Sequence, residues 1–150
     1  MERQPRVLTV DDEPRNIRLL EAILVPQGYE IIAASSGAEA LETVAREGPD
    51  LVLLDVVMPE MDGYETCRHL RESSSTRLLP IIMVTASIEQ EKVEALEAGA
   101  DDFVVKPLNP RELLARVSSL LRIKQYQDTI QAQAAQLAEW NRTLESRVSQ

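Results

Sequence analysis

The chain has 150 residues, which is enough for one compact domain and a short appendage. Its net charge of −9 argues against a nucleic-acid-binding surface, which needs clustered Lys and Arg side chains. The single cysteine excludes an internal disulfide and a cysteine-rich zinc site, and no apolar run is long enough to predict a membrane-spanning helix. We therefore expect a cytoplasmic protein.

Five short apolar runs alternate with helical patterns along the chain. We predict strands at Val7–Val10, Ile31–Ala34, Leu51–Leu54, Ile81–Val84 and Phe103–Val105. Consecutive apolar residues are typical of strands that are buried on both faces. Helices are predicted after Pro14, after Ser36-Gly37, after Asp62-Gly63 and up to Gly99. The alternation predicts an α/β domain with a parallel sheet covered by helices.

The last predicted helix begins at Asn109-Pro110. Asn is a favoured cap, Pro suits the first turn, and Glu112 stands three residues after the cap. No Pro or Gly follows through Gln150, which predicts a helix of about 40 residues. A helix of this length cannot pack wholly against one small domain.

The sequence from Leu120 onward follows a heptad pattern. Its two series of core positions are Ile123, Ile130, Leu137 and Leu144, and Leu120, Gln127, Ala134, Asn141 and Val148. The pattern predicts a parallel dimeric coiled coil over residues 122–150, after a domain formed by residues 1–121, and Asn141 would set the register. A single solvated helix is the alternative. Trp140, beside the core positions, either anchors a partner or packs partly against the neighbouring helix.

Polar residues stand where the predicted strands end. Asp11 and Asp12 follow the first strand, Asp55 ends the third, Thr85 ends the fourth and Lys106 ends the fifth. The carboxyl ends of parallel strands share one edge of the sheet, and ligands of open α/β sheets bind there. We therefore expect these side chains to converge, although each alone has an ordinary explanation as a helix-start acid, a turn residue or a surface lysine.

The chemistry of this set indicates phosphoryl transfer. Carboxylates that share a crevice repel one another and favour a hard cation such as Mg²⁺. A carboxylate such as Asp55 can attack phosphorus to form an acyl phosphate, and Lys106 and Thr85 can donate to the phosphoryl oxygens. The sequence has no Gly-rich phosphate loop, so a partner or a small donor must bring the phosphoryl group.

The same residues stand in motifs that resemble those of bacterial response-regulator receiver domains. The motifs are Asp11-Asp12-Glu13-Pro14, Leu53-Leu54-Asp55-Val56-Val57-Met58-Pro59 with Asp62-Gly63, Val84-Thr85-Ala86, Asp101-Asp102-Phe103 and Lys106-Pro107. The resemblance runs from Val7 to Leu121. It implies a flavodoxin-like (βα)5 fold with parallel sheet order 2-1-3-4-5.

The resemblance also implies a role for each acidic residue. Asp55 would be the phosphoacceptor and a ligand of Mg²⁺, for which Mn²⁺ can substitute. Asp12 would bind the metal directly and Asp11 through water. The backbone carbonyl of Val57 would be a further metal ligand.

The remaining roles concern the switch. Lys106 would pair with the phosphoryl group, Thr85 would be the switch hydroxyl, and Lys106-Pro107 would be a cis peptide. Phe103 would be the coupled aromatic residue, although its position is equally that of a core residue. Because Phe103 lacks a hydroxyl group, any switching through it must work by packing.

The resemblance implies a signalling switch and not an enzyme, limited to self-catalysed phosphoryl transfer and autodephosphorylation. A sensor histidine kinase or phosphotransfer protein would be the donor. The last helix resembles those that join receivers to nucleotide cyclases, particularly adenylate or guanylate cyclases, with diguanylate cyclases as the second choice. A stand-alone regulator that acts by protein binding is the alternative. An aspartate-nucleophile phosphatase is disfavoured, because Val57 stands where such enzymes place a second acid.

Overall fold

Strands and helices alternate throughout the computed structural model, which describes residues 4–86 and 89–148, without the side chains of residues 89, 90 and 145–148. The strands are β1 (Arg6–Val10), β2 (Glu30–Ala34), β3 (Leu51–Asp55), β4 (Ile81–Thr85) and β5 (Asp102–Val105). The helices are α1 (Pro14–Leu24), α2 (Gly37–Glu47), α3 (Gly63–Glu72), α4 (Glu89–Ala98) and α5 (Pro110–Val148), with a short 3-10 turn at Val25–Gln27.

The five strands form one parallel sheet in the order β2-β1-β3-β4-β5, as the resemblance predicted. Each strand is one residue longer than its apolar run. The added residues are Arg6, Glu30, Asp55, Thr85 and Asp102. These residues are polar, so hydrophobicity alone did not mark them, but their backbones complete the ladder at the ends of the strands.

The sheet separates two hydrophobic cores. On β3, Leu51 and Leu53 face the core beneath α1 and α5, whereas Val52 and Leu54 face the core beneath α2, α3 and α4. All four side chains are fully or almost fully buried. Strands covered on both faces must be apolar on both faces, which explains the unbroken apolar runs in the sequence.

The helix boundaries follow the predicted cap signals. Ser36 accepts a hydrogen bond from the amide of Glu39, and Asp62 accepts one from the amide of Glu65. Asn109 caps α5 in the same way, through the amide of Glu112. These side-chain oxygens satisfy amide groups that have no partner within the helix.

Helix α5 changes its environment along its 39 residues. Leu113 and Val117 are buried in the core, and Leu120 is partly buried against it. Further on, Ile130 is 64% exposed and Leu137 is 61% exposed, on the stripe where the heptad pattern predicts a partner helix. The coiled coil and the division at residue 121 stay predictions, and the side chain of Val148 lies outside the described residues. Within the described ranges, no helix has the length and hydropathy needed to cross a membrane.

Candidate functional site

The carboxyl edge of the sheet collects the polar residues that the sequence placed at strand ends. Asp11 directly follows β1, Asp55 and Thr85 are the last residues of β3 and β4, and Lys106 directly follows β5. The Nζ atom of Lys106 donates to Oδ1 of Asp55 over 3.0 Å. The amide of Lys106 also donates to the carbonyl of Thr85 over 2.8 Å, which fixes where the lysine leaves the sheet.

Three carboxylates lie close together at this edge. Asp11, Asp12 and Asp55 each offer an oxygen, and these oxygens lie within 4.8 Å of one another. Asp11 and Asp55 are buried, whereas Asp12 is exposed. One oxygen of Asp11 accepts a hydrogen bond from the amide of Glu13, which orients the side chain. An oxygen-only set of clustered negative charges fits Mg²⁺, which keeps several waters and accepts phosphate oxygens.

Asp55 is held in an environment that opposes its ionisation. Its pKa is raised from 3.8 to about 6, mainly by burial and also by the charges of Asp11 and Asp12, against the opposing hydrogen bond and charge of Lys106. The positive charge of Lys106 is therefore too small to offset burial and the neighbouring carboxylates, and the ionised form of Asp55 is disfavoured. A bound divalent cation would supply that charge, which is an independent reason to expect a metal at the acidic cluster.

Lys106 is cationic at neutral pH. Burial lowers its pKa, but the hydrogen bond to Asp55 and the charges of Asp55, Asp11 and Glu13 outweigh burial and raise it above its ordinary value. A permanent cation beside the nucleophile can pair with an incoming phosphoryl group. The peptide bond between Lys106 and Pro107 is cis.

Thr85 and Phe103 lie on neighbouring strands behind the acidic cluster. The Thr85 side chain is fully buried, and its hydroxyl donates to the carbonyl of Val104 over 3.4 Å. Phe103 is partly buried against the core, and the cationic groups of Lys92 and Arg116 stand 5.3 and 5.9 Å from its ring centre. Phe103 is therefore part of the core edge and also part of the surface formed by α4 and α5.

A cavity of about 310 Å³ opens beside the carboxylates. It is bounded by Asp55 and Lys106 on one side and by Asn16 and Leu19 of α1 on the other, with Pro107 at its rim. The cavity gives a donor molecule access to Asp55 from the α1 side. Its α1 wall was not anticipated from the sequence, because Asn16 and Leu19 belong to an ordinary amphipathic helix pattern.

Gly63 is a site-positioning residue that sequence reasoning treated only as a helix start. A Cβ atom at this position would collide with the backbone carbonyl oxygen of Asp55 and lie 2.9 Å from Cα of Val56. The amide of Gly63 also donates to the carbonyl of Val56 over 2.9 Å. The absence of a side chain therefore lets α3 pack closely against the backbone of Asp55 and Val56.

Val57 and His69 are both exposed at the protein surface. The side chain of Val57 is exposed, and its role as a carbonyl ligand of the metal stays a prediction. His69 lies on the exposed face of α3, with carboxylate oxygens of Glu65 and Glu72 each 4.0 Å from its ring nitrogens. His69 is thus a solvent-exposed helix residue at the surface of the domain.

Comparisons with known proteins agree with this geometry. The family model described as "Response regulator receiver domain" matches residues 7–118. A solved receiver domain protein (CheY-like) from Methanospirillum hungatei shares 32% identity, covers 82% of this chain and 98% of its own, and superimposes with a TM-score of 0.75. The match therefore includes nearly all of that single-domain structure.

Two curated relatives are longer than this chain. The alkaline phosphatase synthesis transcriptional regulatory protein PhoP of Bacillus subtilis is 47% identical over 78% of this chain and 48% of its own length. The response regulator PleD of Caulobacter vibrioides is 44% identical over 87% of this chain and 29% of its own length. The chain thus spans half or less of the length of these relatives.

Proposed function

The chain belongs to the response regulator receiver domain family, and we propose that it accepts a phosphoryl group on Asp55 and acts as a conformational switch. The single observation that carries the proposal is the contact between Lys106 and Asp55 within a cluster of three carboxylates. A charged donor, a buried nucleophile and a cation-binding set are the parts that acyl phosphate formation needs.

Asp55 is the nucleophile in this proposal. An oxygen of its carboxylate attacks phosphorus, the new O–P bond forms, and the bond between phosphorus and the donor breaks with its electron pair remaining on the donor. Lys106 balances the charge on the phosphoryl oxygens. Asp12, Asp55, Asp11 and the carbonyl of Val57 would hold Mg²⁺, which when bound neutralises the crowded carboxylates and the incoming phosphoryl group.

The donor is a phosphohistidine of a sensor histidine kinase or phosphotransfer protein. The open cavity on the α1 side of Asp55 supports access by a macromolecular donor. The structure has no nucleotide-cradling Gly-rich loop among its described residues, which supports transfer from a protein or a small acyl phosphate over transfer from a bound nucleotide.

The switch runs from Thr85 toward the face formed by α4, β5 and α5. Thr85 is the buried last residue of β4 and follows Val84, which is paired with Asp55 on the neighbouring strand, and its hydroxyl would turn toward a phosphoryl group on Asp55. Phe103 follows by repacking, because its ring lies at the core edge between Lys92 and Arg116. Phosphorylation would thereby shift the balance between two pre-existing conformations.

The output passes through α5 as a parallel homodimeric coiled coil. Ile123, Ile130, Leu137 and Leu144 recur every seven residues, and all four side chains are substantially exposed in the single chain. A cyclase-type output domain beyond residue 150 is the preferred destination, on the resemblance of the helix alone. A stand-alone binding regulator is the alternative, and the reading frame beyond Gln150 distinguishes the two.

Labelling with acetyl phosphate tests the phosphoacceptor. We expect the chain to gain one phosphoryl group, measured by intact mass, only in the presence of Mg²⁺. Asp55→Asn should abolish the gain, whereas Asp128→Asn, a matched change at an exposed acid on α5, should leave it intact. Labelling of Asp55→Asn at the wild-type level would contradict the assignment.

A further inference from the structure

Helix α5 leaves the domain beside the loop that joins α3 to β4. A groove of about 110 Å³ lies between them, with Leu78 and Pro80 on the loop side and Leu120, Ile123 and Gln127 on the helix side. These three helix residues are core positions of the first heptad. The core face of the predicted coiled coil therefore lies next to the loop between α3 and β4.

Two apolar side chains at this junction are exposed. Leu78 is 44% exposed at the tip of the loop, and Tyr126 is 61% exposed on the helix. Lys124 lines the groove together with Leu78. Tyr126 stands two residues further along the helix, which turns it by roughly 200°. Tyr126 thus lies on the opposite side of the helix from Lys124 and does not line this groove.

The loop that carries Leu78 is fixed in place by Arg71. The guanidinium group donates to the carbonyls of Arg77 and Leu79 over 3.0 and 2.6 Å, and to the carbonyl of Gly99 over 2.7 Å. It also pairs with Asp101 at 2.8 Å. These bonds hold the loop, and with it Leu78, in a fixed position. A contact at Leu78 therefore costs less conformational entropy than a contact with a flexible loop would.

We propose that in the parallel homodimer Tyr126 of each copy packs on Leu78 of the other copy, so that coil and receiver bodies form one continuous interface. The inference rests on the coiled-coil dimer of the proposed function. In a parallel dimer both helices run in the same direction and in the same register. The side of one helix that carries Lys124 then lies beside the side of the other helix that carries Ser119 and Tyr126. Leu78 lines the groove with Lys124, and Tyr126 is the large, exposed side chain on the facing side of the second helix, so we assign it as the partner of Leu78.

Charge and polarity at the junction agree with this arrangement. Lys124 pairs with Asp128 of its own chain, so the charge of this lysine is already balanced where the second copy would approach. Tyr suits a half-wet contact, because its ring is apolar and its hydroxyl reaches solvent. Parallel pairing also sets Gln127 against Gln127 and Asn141 against Asn141, whereas antiparallel pairing would set each amide against an apolar residue.

Disulfide trapping in the full chain tests the contact. We expect the double variant Leu78→Cys with Tyr126→Cys to form a covalent dimer on mild oxidation, seen on a non-reducing gel and reversed by reductant. The native Cys67 is buried and should not interfere. Each single variant, Leu78→Cys or Tyr126→Cys, should remain mostly uncrosslinked. Equal crosslinking by either single variant would overturn the proposal.

Ile130→Cys separates this inference from the dimer itself. In a parallel coil the two copies of residue 130 face each other across the seam, so this variant should crosslink. Crosslinking of Ile130→Cys without crosslinking of the double variant would reject the Tyr126–Leu78 contact alone. Failure of both would reject the parallel dimer, and with it the contact.

A non-covalent measurement gives a second check. We expect Leu78→Asp to weaken the dimer about tenfold in sedimentation equilibrium, because a charge would replace an apolar anchor. Val25→Asp is a matched control, since Val25 is 52% exposed and does not line the groove. Equal weakening by the two variants, or no weakening by Leu78→Asp, would overturn the proposal.

Discussion

The ammonium group of Lys106 lies 3.0 Å from a carboxylate oxygen of Asp55, although 51 residues separate the two in the chain. The contact does not fully compensate the buried carboxylate, because the pKa of Asp55 still rises to about 6. Lys106 alone therefore does not balance the negative charge of the carboxylates at this site.

The stability of the protein should depend on the charge of Asp55. Its pKa rises from 3.8 to about 6 on folding, so the folded chain holds this proton more tightly than the unfolded chain. Stability from this group is therefore greatest below pH 3.8 and is lost as the pH rises through about 6. In the absence of divalent cations, Asp55→Asn should stabilise the protein at pH 7.5 by about 1–2 kcal/mol.

Urea unfolding of both proteins at several pH values measures this effect. The difference between wild type and Asp55→Asn should shrink as the pH falls toward 4, because Asp55 becomes neutral in the folded state and the cost of keeping its charge buried disappears. A constant difference across this range would show that charge is not the cause.

Mg²⁺ should raise the melting temperature of the wild type, because it binds the folded acidic cluster and not the unfolded chain. Asp12→Asn should raise the Mg²⁺ concentration needed for half of this increase roughly tenfold, since one of three clustered carboxylates is lost. Glu13→Gln is the matched control, because Glu13 is adjacent in sequence but outside the cluster. Equal responses in all three proteins would argue against a metal at this position.

Thr85→Val should separate phosphorylation from switching. Val keeps the shape of the fully buried Thr85 side chain and removes only its hydroxyl. We expect labelling of Asp55 by acetyl phosphate to persist. The accompanying change in hydrogen exchange across β5 and the start of α5 should be lost. A wild-type exchange response in Thr85→Val would show that the hydroxyl does not transmit the state of the site.

Arg71 should be a major determinant of stability. Its guanidinium group holds carbonyls from the loop after α3 and from the turn after α4, besides its pair with Asp101. Arg71→Ala should reduce the free energy of unfolding by about 2–4 kcal/mol, because the carbonyls of Leu79 and Gly99 lose their donor at once in partly buried surroundings. Arg71→Lys should restore little, since an ammonium cannot reproduce the planar fork. Arg68→Ala, an exposed neighbour on α3, should change stability by less than about 0.5 kcal/mol.

Gly63→Ala should damage both stability and phosphorylation. The added methyl group would collide with the backbone of Asp55, so α3 or the nucleophile must shift, at a cost of about 1–3 kcal/mol. Gly48→Asn is the control: Gly48 has a positive φ of 57°, which Asn tolerates, and an added Cβ would meet nothing within 4 Å. Denaturant unfolding and the rate of acetyl phosphate labelling should both separate the two variants.

Site residues could be predicted from the sequence where a polar side chain directly follows an apolar run. Asp55 and Thr85 could be placed at the sheet edge because buried strands are apolar throughout, and a polar residue marks where they end. The sheet order came from the resemblance, since periodicity does not specify which strands are neighbours. The cap at Asn109 was predictable because capping depends only on residues close in sequence.

Other features depend on contacts that no local pattern records. Arg71 looks like an ordinary charged helix residue, and its importance appears only when the loop after α3 and the segment between α4 and β5 meet around it. Gly63 reads as a helix start, although its packing against Asp55 depends on tertiary contact. Leu78 and Tyr126 are 48 residues apart on different elements, so their relation requires the position of α5 against the body.

The length of α5 has a mechanical consequence. The part of the helix beyond the receiver body, from about residue 122 to Val148, is roughly 40 Å long. If it pivots as a rigid rod, a rotation of ~10° at the body moves the far end by ~7 Å. A small rearrangement at Thr85 and Phe103 would leave the fold unchanged. It would nevertheless displace the far end of α5 by a distance comparable to the width of a helix. In the proposed function, the helix would therefore act as a lever arm that enlarges the motion of the switch.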